Sequence, residues 1–269
     1  MRDPYAIYAK AILKLRALDP LDQDPGAADL GSNIHAALDR FMRNFPKQLP
    51  PDAADRLLQI GHAIFAAELD RPAVWAFWWP RFQRIATWFV DQESQRRPAL
   101  EASYTECKGE LDIEGFTPSF KLTGKADRID RMAGGGVTVI DYKTGATPNS
   151  TDVALGFAPQ LPLEAAMAKR GGFGAALKDR IAGLEYWRLS GGDPAGETKP
   201  IKESGSKAIA DPAQLADDAY DGLVRLLKAY SLDDAVYPAE PQPGFAPGYS
   251  DYRHLARVGE WSISEDGEG

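Results

Sequence analysis

"GKADRIDRMAGGGVTVIDYKTG", residues 124–145, decides how the rest of the chain is read. Three acids and four bases sit within two stretches, "GKADRIDRM" and "VTVIDYK", whose alternating and β-branched residues are those of strands. The glycines between them predict a sharp turn, so the two strands become antiparallel neighbours. Asp127 reads as ending the first strand and Asp141 as ending the second, which brings both carboxylates to one point. Period two places Asp141 and Lys143 on the same face, with Tyr142 on the other.

Two carboxylates held side by side repel each other unless a cation lies between them, and oxygen ligation suits Mg²⁺ or Mn²⁺. A lysine beside such an ion could position or deprotonate a water. A neutralising Lewis acid, an aligned nucleophile and charge stabilisation are what phosphodiester hydrolysis needs. The plainer alternative is that Asp127–Arg128 and Asp141–Lys143 are solvated cross-strand ion pairs, the usual reading of an isolated D-x-K. Here the acids follow apolar runs and a glycine turn joins the strands, and the joint pattern favours the cation. The "GGG" at 134–136 is a turn and not a phosphate cradle, because no helix opens after it.

Outward from this hairpin, the first of its strands reads over "FKLTGKADRIDRM" (120–132), and "LEASYTECKGELDI" (100–113) and "IAGLEYWRL" (181–189) also read as strands. "APQLPLEAAMAKR" reads as a helix, and so does "DPAQLADDAYDGLVRLLKAY", capped by Asp211. The first hundred residues are helical. Asp3 and Pro4 start one helix, Ile34, Leu38, Phe41 and Phe45 mark a second, and Leu57, Leu58, Ile64 and Phe65 a third. In "RPAVWAFWWPRFQRIATWFVDQESQRR", Pro80 should kink or divide the helix. "GGDPAGETKPIKESGSK" reads as a surface loop, the Pro- and Gly-rich tail as irregular chain, and "SEDGEG" as disordered. The expected fold class is α/β, a mixed sheet flanked by helices with a helical N-terminal region. It forms one domain over 1–269, divided into a helical part (1–98), a sheet core (99–190) and a C-terminal loop, helix and tail (191–269).

The composition is that of a globular protein, 44% hydrophobic and 26% charged over 269 residues. The lone cysteine, Cys107, excludes an intramolecular disulfide and any metal site built from several cysteines. No apolar run reaches the length of a membrane span, and the N-terminus does not read as a signal peptide, so a cytoplasmic location is expected. A net charge of −8 weighs against a general nucleic-acid binder but leaves room for a local basic channel.

"GKADRID", "VTVIDYKTG" and "QLPLEAAM" together resemble the RecB-type branch of the PD-(D/E)XK nucleases. "DPYAIYAKAILKL", "GSNIHAALDRF" and "DYRHLARVGEW" are similar to the nuclease domain of the AddB family. The resemblance implies a Mg²⁺- or Mn²⁺-dependent DNA exonuclease acting on single strands during double-strand-break repair, beside an AddA-type helicase subunit and away from membranes. It makes Asp127 and Asp141 metal-ligating acids, Lys143 the motif lysine, and His35 an upstream ligand. Gln160 would contact the lysine or the DNA, and Glu106 would be a supporting acid. Lys121, Lys125, Arg128 and Arg131 flank the acids and would track phosphates, unless they belong to a solvated strand face.

Relatives often carry tyrosine four residues after the glutamine, where this chain has Glu164. Many also carry four cysteines that hold an iron–sulfur cluster. Here the early position reads Asp3 and the late ones fall in "YSDYRHLARVG", so no cluster is expected and the tail should fold back on the N-terminal helix by packing. His62 and His254 have no ligand company and read as structural. Trp75, Trp78, Trp79 and Trp88 read as core or as a docking face. The rivals are a free-standing RecB-like or CRISPR-associated exonuclease, a non-catalytic DNA-binding scaffold, and an unrelated sheet protein with surface ion pairs. No G-x-x-x-x-G-K-[ST] is present, so unwinding must come from elsewhere.

Overall fold

A computed structural model describes residues 1–16, 18, 26–69, 71–232 and 234–260. Its helices are α1 (Pro4–Ile7, continued by a π-helical turn at Tyr8–Ile12), α2 (Ala27–Asn44), α3 (Ala53–Leu69), α4 (Pro72–Arg96), α5 (Ser150–Ala154), α6 (Gln160–Arg170) and α7 (Pro212–Tyr230). Its strands are β1 (Leu100–Ile113), β2 (Phe120–Met132), β3 (Val137–Lys143), β4 (Ile181–Arg188) and β5 (Glu197–Pro200). The chain divides into two compact units, Asp24–Gly222 and a second made of Met1–Gln23 with Leu223–Gly269.

In the larger unit the strands form one sheet in the order β1-β2-β3-β4-β5. The hairpin expected at the glycines is present. β2 and β3 are antiparallel, Arg131 opposite Val137, and Gly135 and Gly136 adopt φ of +81° and +84°, which a side chain would strain. β3 and β4 are parallel. That pairing demands a long crossover, supplied by the segment carrying α5 and α6.

β3 is buried from Val137 to Tyr142 because both of its faces are covered. Ile140 and Tyr142 join a core built on α2, α3 and α4, where Ile34, Leu38, Phe41, Phe82, Ile85 and Phe89 form helical stripes. Val137 and Val139 join a second core with Leu161, Ala165 and Ala168 of α6. The sheet is therefore mixed, with helices on both sides and a helical N-terminal region, as the sequence implies.

Two expectations give way. α4 runs unbroken through Pro80. Trp79 before the proline stacks on Trp75 at 5.8 Å, packs on Phe65 of α3, and contacts Phe82 beyond the proline, so ring packing keeps the helix continuous across the lost hydrogen bond. β5 lies inside the segment read as loop. It is a four-residue edge strand against β4, and its polar "ETKP" carries none of the apolar alternation by which strands are recognised.

In the terminal unit, Asp3 caps α1 by accepting from Ala6 N at 3.1 Å. Its other oxygen accepts from Ser250 Oγ at 3.0 Å, and Tyr252 OH donates to Leu15 O at 2.8 Å. Tyr8 packs on Tyr237 at 5.5 Å between ring centres. The tail thus folds back on the N-terminal segment through hydrogen bonds and ring packing. Residues 264–269 lie outside the described residues. No helix among those described is long and apolar enough to cross a membrane.

Candidate active site

Asp127 lies inside β2 and not at its end; what ends there is the ladder with β3. The last paired residues are Arg128 and Ile140. Beyond them the Tyr142 amide donates to Asp127 Oδ2 at 2.8 Å, so a side chain takes the place of a ladder carbonyl. On the other edge of β2, Glu106 of β1 makes no ladder pair with Asp127 opposite it, although the register is kept on either side, and it has a left-handed φ of +52°. A non-glycine residue there costs on the order of 1 kcal/mol, and the strain turns Glu106 out of the strand's regular alternation at the point where the acids gather.

His35 projects from α2 beside Ile34, whose burial fixes the helix against the sheet. Its Nδ1 is 3.3 Å from Asp127 Oδ1, and its Nε2 is 3.1 Å from Tyr142 O. Burial disfavours the imidazolium, but the hydrogen bond it donates to Asp127 and the charges of Asp127, Glu106 and Asp141 outweigh it and raise its pKa above the usual histidine value. One ligand atom each from His35, Glu106 and Asp127 lie within 4.8 Å of one another.

Asp141, at 1% exposure, is the buried member. Lys143 Nζ lies 2.8 Å from its Oδ1 and 2.6 Å from its Oδ2, and Gln160 Nε2 donates to Oδ1 at 2.9 Å. Oδ2 nevertheless accepts no well-directed hydrogen bond. Burial and the charge of Asp127 push the Asp141 carboxyl up to about 6, against the opposing pull of Lys143 and His35. Gln160 stands at the start of α6, where its Oε1 faces Lys143 Nζ at 3.4 Å. His35, Glu106, Asp127 and Lys143 open on a cleft whose rim includes Arg43, Lys108 and Lys125.

Two acids, a lysine bound to the second of them, and an upstream histidine therefore meet at the end of a β-hairpin. A sequence model of the PD-(D/E)XK nuclease superfamily matches residues 2–252. The chain belongs to that superfamily. The matched range contains Asp127, Asp141 and Lys143, the residues that meet at the hairpin's open end. It is 28% identical over 270 residues to an uncharacterized protein of Rickettsia bellii, covering 95% of this chain and 31% of that one. A second uncharacterized protein, from Rickettsia conorii, is 32% identical over 177 residues, 64% of this chain and 21% of its own length. The chain thus spans a third or less of the relatives it matches. The crystal structure of SSO0001 aligns with 81% of the chain and 84% of its own, at 14% identity and a TM-score of 0.29.

Not every residue assigned from sequence reaches this PD-(D/E)XK site. Arg128 is a correction. It is fully buried, bonded to Glu93 and to Asp130 at 2.6 Å, and sits over the Trp187 ring, so it cannot meet a phosphate. A buried guanidinium needs such partners, and α4 supplies one of them. Arg131 lies by the hairpin turn, bonded to Glu101 and to Ala176 O, away from the acids. Lys125 is at the cleft, paired with Glu106. His62 packs edge-on to Trp75 and Trp79. Sequence reasoning left Glu164 without a role, although it is buried one turn beyond Gln160 and bonded to it. Its spacing of four on one helix was the available signal.

Proposed function

We propose that this chain is a divalent-metal-dependent DNA nuclease that hydrolyses single strands as an exonuclease during double-strand-break processing. The observation that supports it best is Lys143, whose ammonium touches both oxygens of the buried Asp141 while Asp127 and His35 face the same cleft. The residues fit a divalent cation. Mutual repulsion of two acids, a buried Asp141 oxygen without a directed donor, and a mixed set of carboxylate oxygens with one imidazole nitrogen are the surroundings of Mg²⁺ or Mn²⁺. Asp127, Asp141 and His35 would hold it, with Glu106 beside them. It would supply the Lewis acid that phosphodiester hydrolysis requires.

The chain's own residues do the rest. His35 can ligate only as the neutral imidazole, so cation and proton compete for it. Lys143 Nζ, anchored by Asp141 and faced by Gln160 Oε1, is placed to hold a water or move its proton beside the scissile phosphate. Lys108 and Lys125 offer positive charge to the flanking phosphates. With a net charge of −8, strands are better delivered than captured, and a helicase of the AddA type is the partner that the AddB likeness favours. Relatives about three times as long as the matched stretch have room for such docking. The test offers end-labelled single strands and duplexes of one sequence to the purified chain with Mg²⁺, Mn²⁺ or EDTA. Metal-dependent shortening of single strands from an end is expected; internal cuts alone, or cutting in EDTA, would overturn the reading.

A further inference from the structure

Glu164 is placed where a carboxyl costs stability. It is 5% exposed on α6, whose Leu161, Ala165 and Ala168 belong to the apolar core. Taking such a group out of water costs roughly 1–3 kcal/mol where hydrogen bonding is incomplete, and its Oε2 has no hydrogen-bond partner. An apolar side chain would serve packing better, so the contact Glu164 does make needs a reason.

That contact is with Gln160. The Gln160 amide nitrogen donates one proton to Asp141 Oδ1 at 2.9 Å and the other towards Glu164 Oε1 at 3.2 Å. Both amide protons are then engaged, and the amide oxygen is left facing Lys143 Nζ at 3.4 Å. Turned over, the amide would set its oxygen against two carboxyl oxygens and its NH₂ against an ammonium. We infer that Glu164 is a positioning residue: by accepting the second amide proton it fixes the orientation of Gln160, and through it the Asp141 carboxylate and the Lys143 ammonium. Burial, opposed by the Gln160 hydrogen bond but reinforced by the charges of Asp141 and Asp127, pushes the Glu164 carboxyl up to about 8. Near neutral pH it is largely the neutral acid, whose carbonyl oxygen a glutamine can replace.

The kinetic part rests on the nuclease reading; the structural part does not. The test uses the full chain as wild type, Glu164→Gln, Glu164→Leu and, should leucine fold poorly, Glu164→Met. First, without metal, the two side-chain amide protons of Gln160 are followed by ¹H–¹⁵N NMR, their signals assigned by their loss in Gln160→Leu. Both should exchange slowly in wild type and in Glu164→Gln, and one should exchange at least tenfold faster in the apolar variants. Second, on single-stranded DNA with Mn²⁺, Glu164→Leu should lower kcat about tenfold with little change in KM, and Glu164→Gln should restore it. Unchanged amide exchange in Glu164→Leu or Glu164→Met would overturn the inference. So would a Glu164→Leu enzyme as active as wild type. The expected NMR pattern in a chain that cuts nothing would support the positioning role and count against the nuclease.

Discussion

Lys143 lies closer to Asp141 than an ordinary surface lysine needs to be, and its work is expected in the transition state and not in binding. Lys143→Ala should lower kcat by roughly 10²-fold or more while changing affinity for single-stranded DNA little. Lys143→Arg should not restore it, because a guanidinium is larger and does not give up a proton near neutral pH. Equal losses in affinity and turnover would make the lysine a phosphate contact. The buried acids give a second expectation. Asp141 titrates at about 6 and Glu164 at about 8, above their ordinary values of 3.8 and 4.5, so between those limits the folded chain binds more protons than the unfolded one. The metal-free protein should therefore lose stability as pH rises, through Asp141 between about 4 and 6 and through Glu164 between about 4.5 and 8, the Glu164 part alone remaining above about 6. The Asp141 part is on the order of 2–3 kcal/mol. Tm measured against pH in EDTA should fall less steeply for Asp141→Asn below pH 6 and for Glu164→Gln above it; parallel curves for all three proteins would contradict this. At this scale the sequence carried Asp127, Asp141, Lys143, Gln160, His35 and Glu106. It misplaced Arg128, because whether a strand base faces solvent depends on what α4 lays against it, and Glu93 lies 35 residues away in the chain.

The hairpin was legible at the scale of elements because its signals are local: β-branched runs, a glycine turn and period-two spacing. β1, β2 and β3 coincide with the stretches quoted for them. β5 was not legible, since four polar residues become a strand only by pairing with β4, and the continuity of α4 through Pro80 comes from aromatic packing across elements. The α3–α4 contact supplies a test. A Cβ on Gly61 would collide with the Phe82 ring, which is fully buried between the helices. Gly61→Ala should cost about 1–3 kcal/mol despite its better helix propensity, read as a lower urea midpoint. A midpoint equal to wild type would show that the helices part more easily than this packing implies.

The whole molecule carries a charge of −8, so its attraction to DNA is confined to the cleft, where Arg43 and Lys125 are already paired with Asp39 and Glu106. Three or four phosphate contacts at about 0.7 each give a log–log salt slope of roughly −2 to −3 on single strands, with weak binding at physiological salt. A slope steeper than about −5 with tight binding would mean that the chain needs no partner to bring it DNA. The superfamily, the mixed sheet and the helical N-terminal region were all legible from the motif set, and the tail's return to the N-terminal segment from the likeness at both chain ends, whereas the hydrogen bonds that hold it, from Ser250 to Asp3 and from Tyr252 to Leu15 O, emerge only on folding. The central claim is that Asp127 and Asp141 hold a divalent cation for phosphodiester hydrolysis. It is tested most directly by timing the cleavage of a labelled single-stranded oligonucleotide in Mn²⁺ by wild type and by Asp141→Ala, each shown to be folded. Removing the acid relieves like-charge repulsion, so the variant should be at least as stable as wild type while its cleavage falls to background. Cleavage by Asp141→Ala at the wild-type rate would contradict the site.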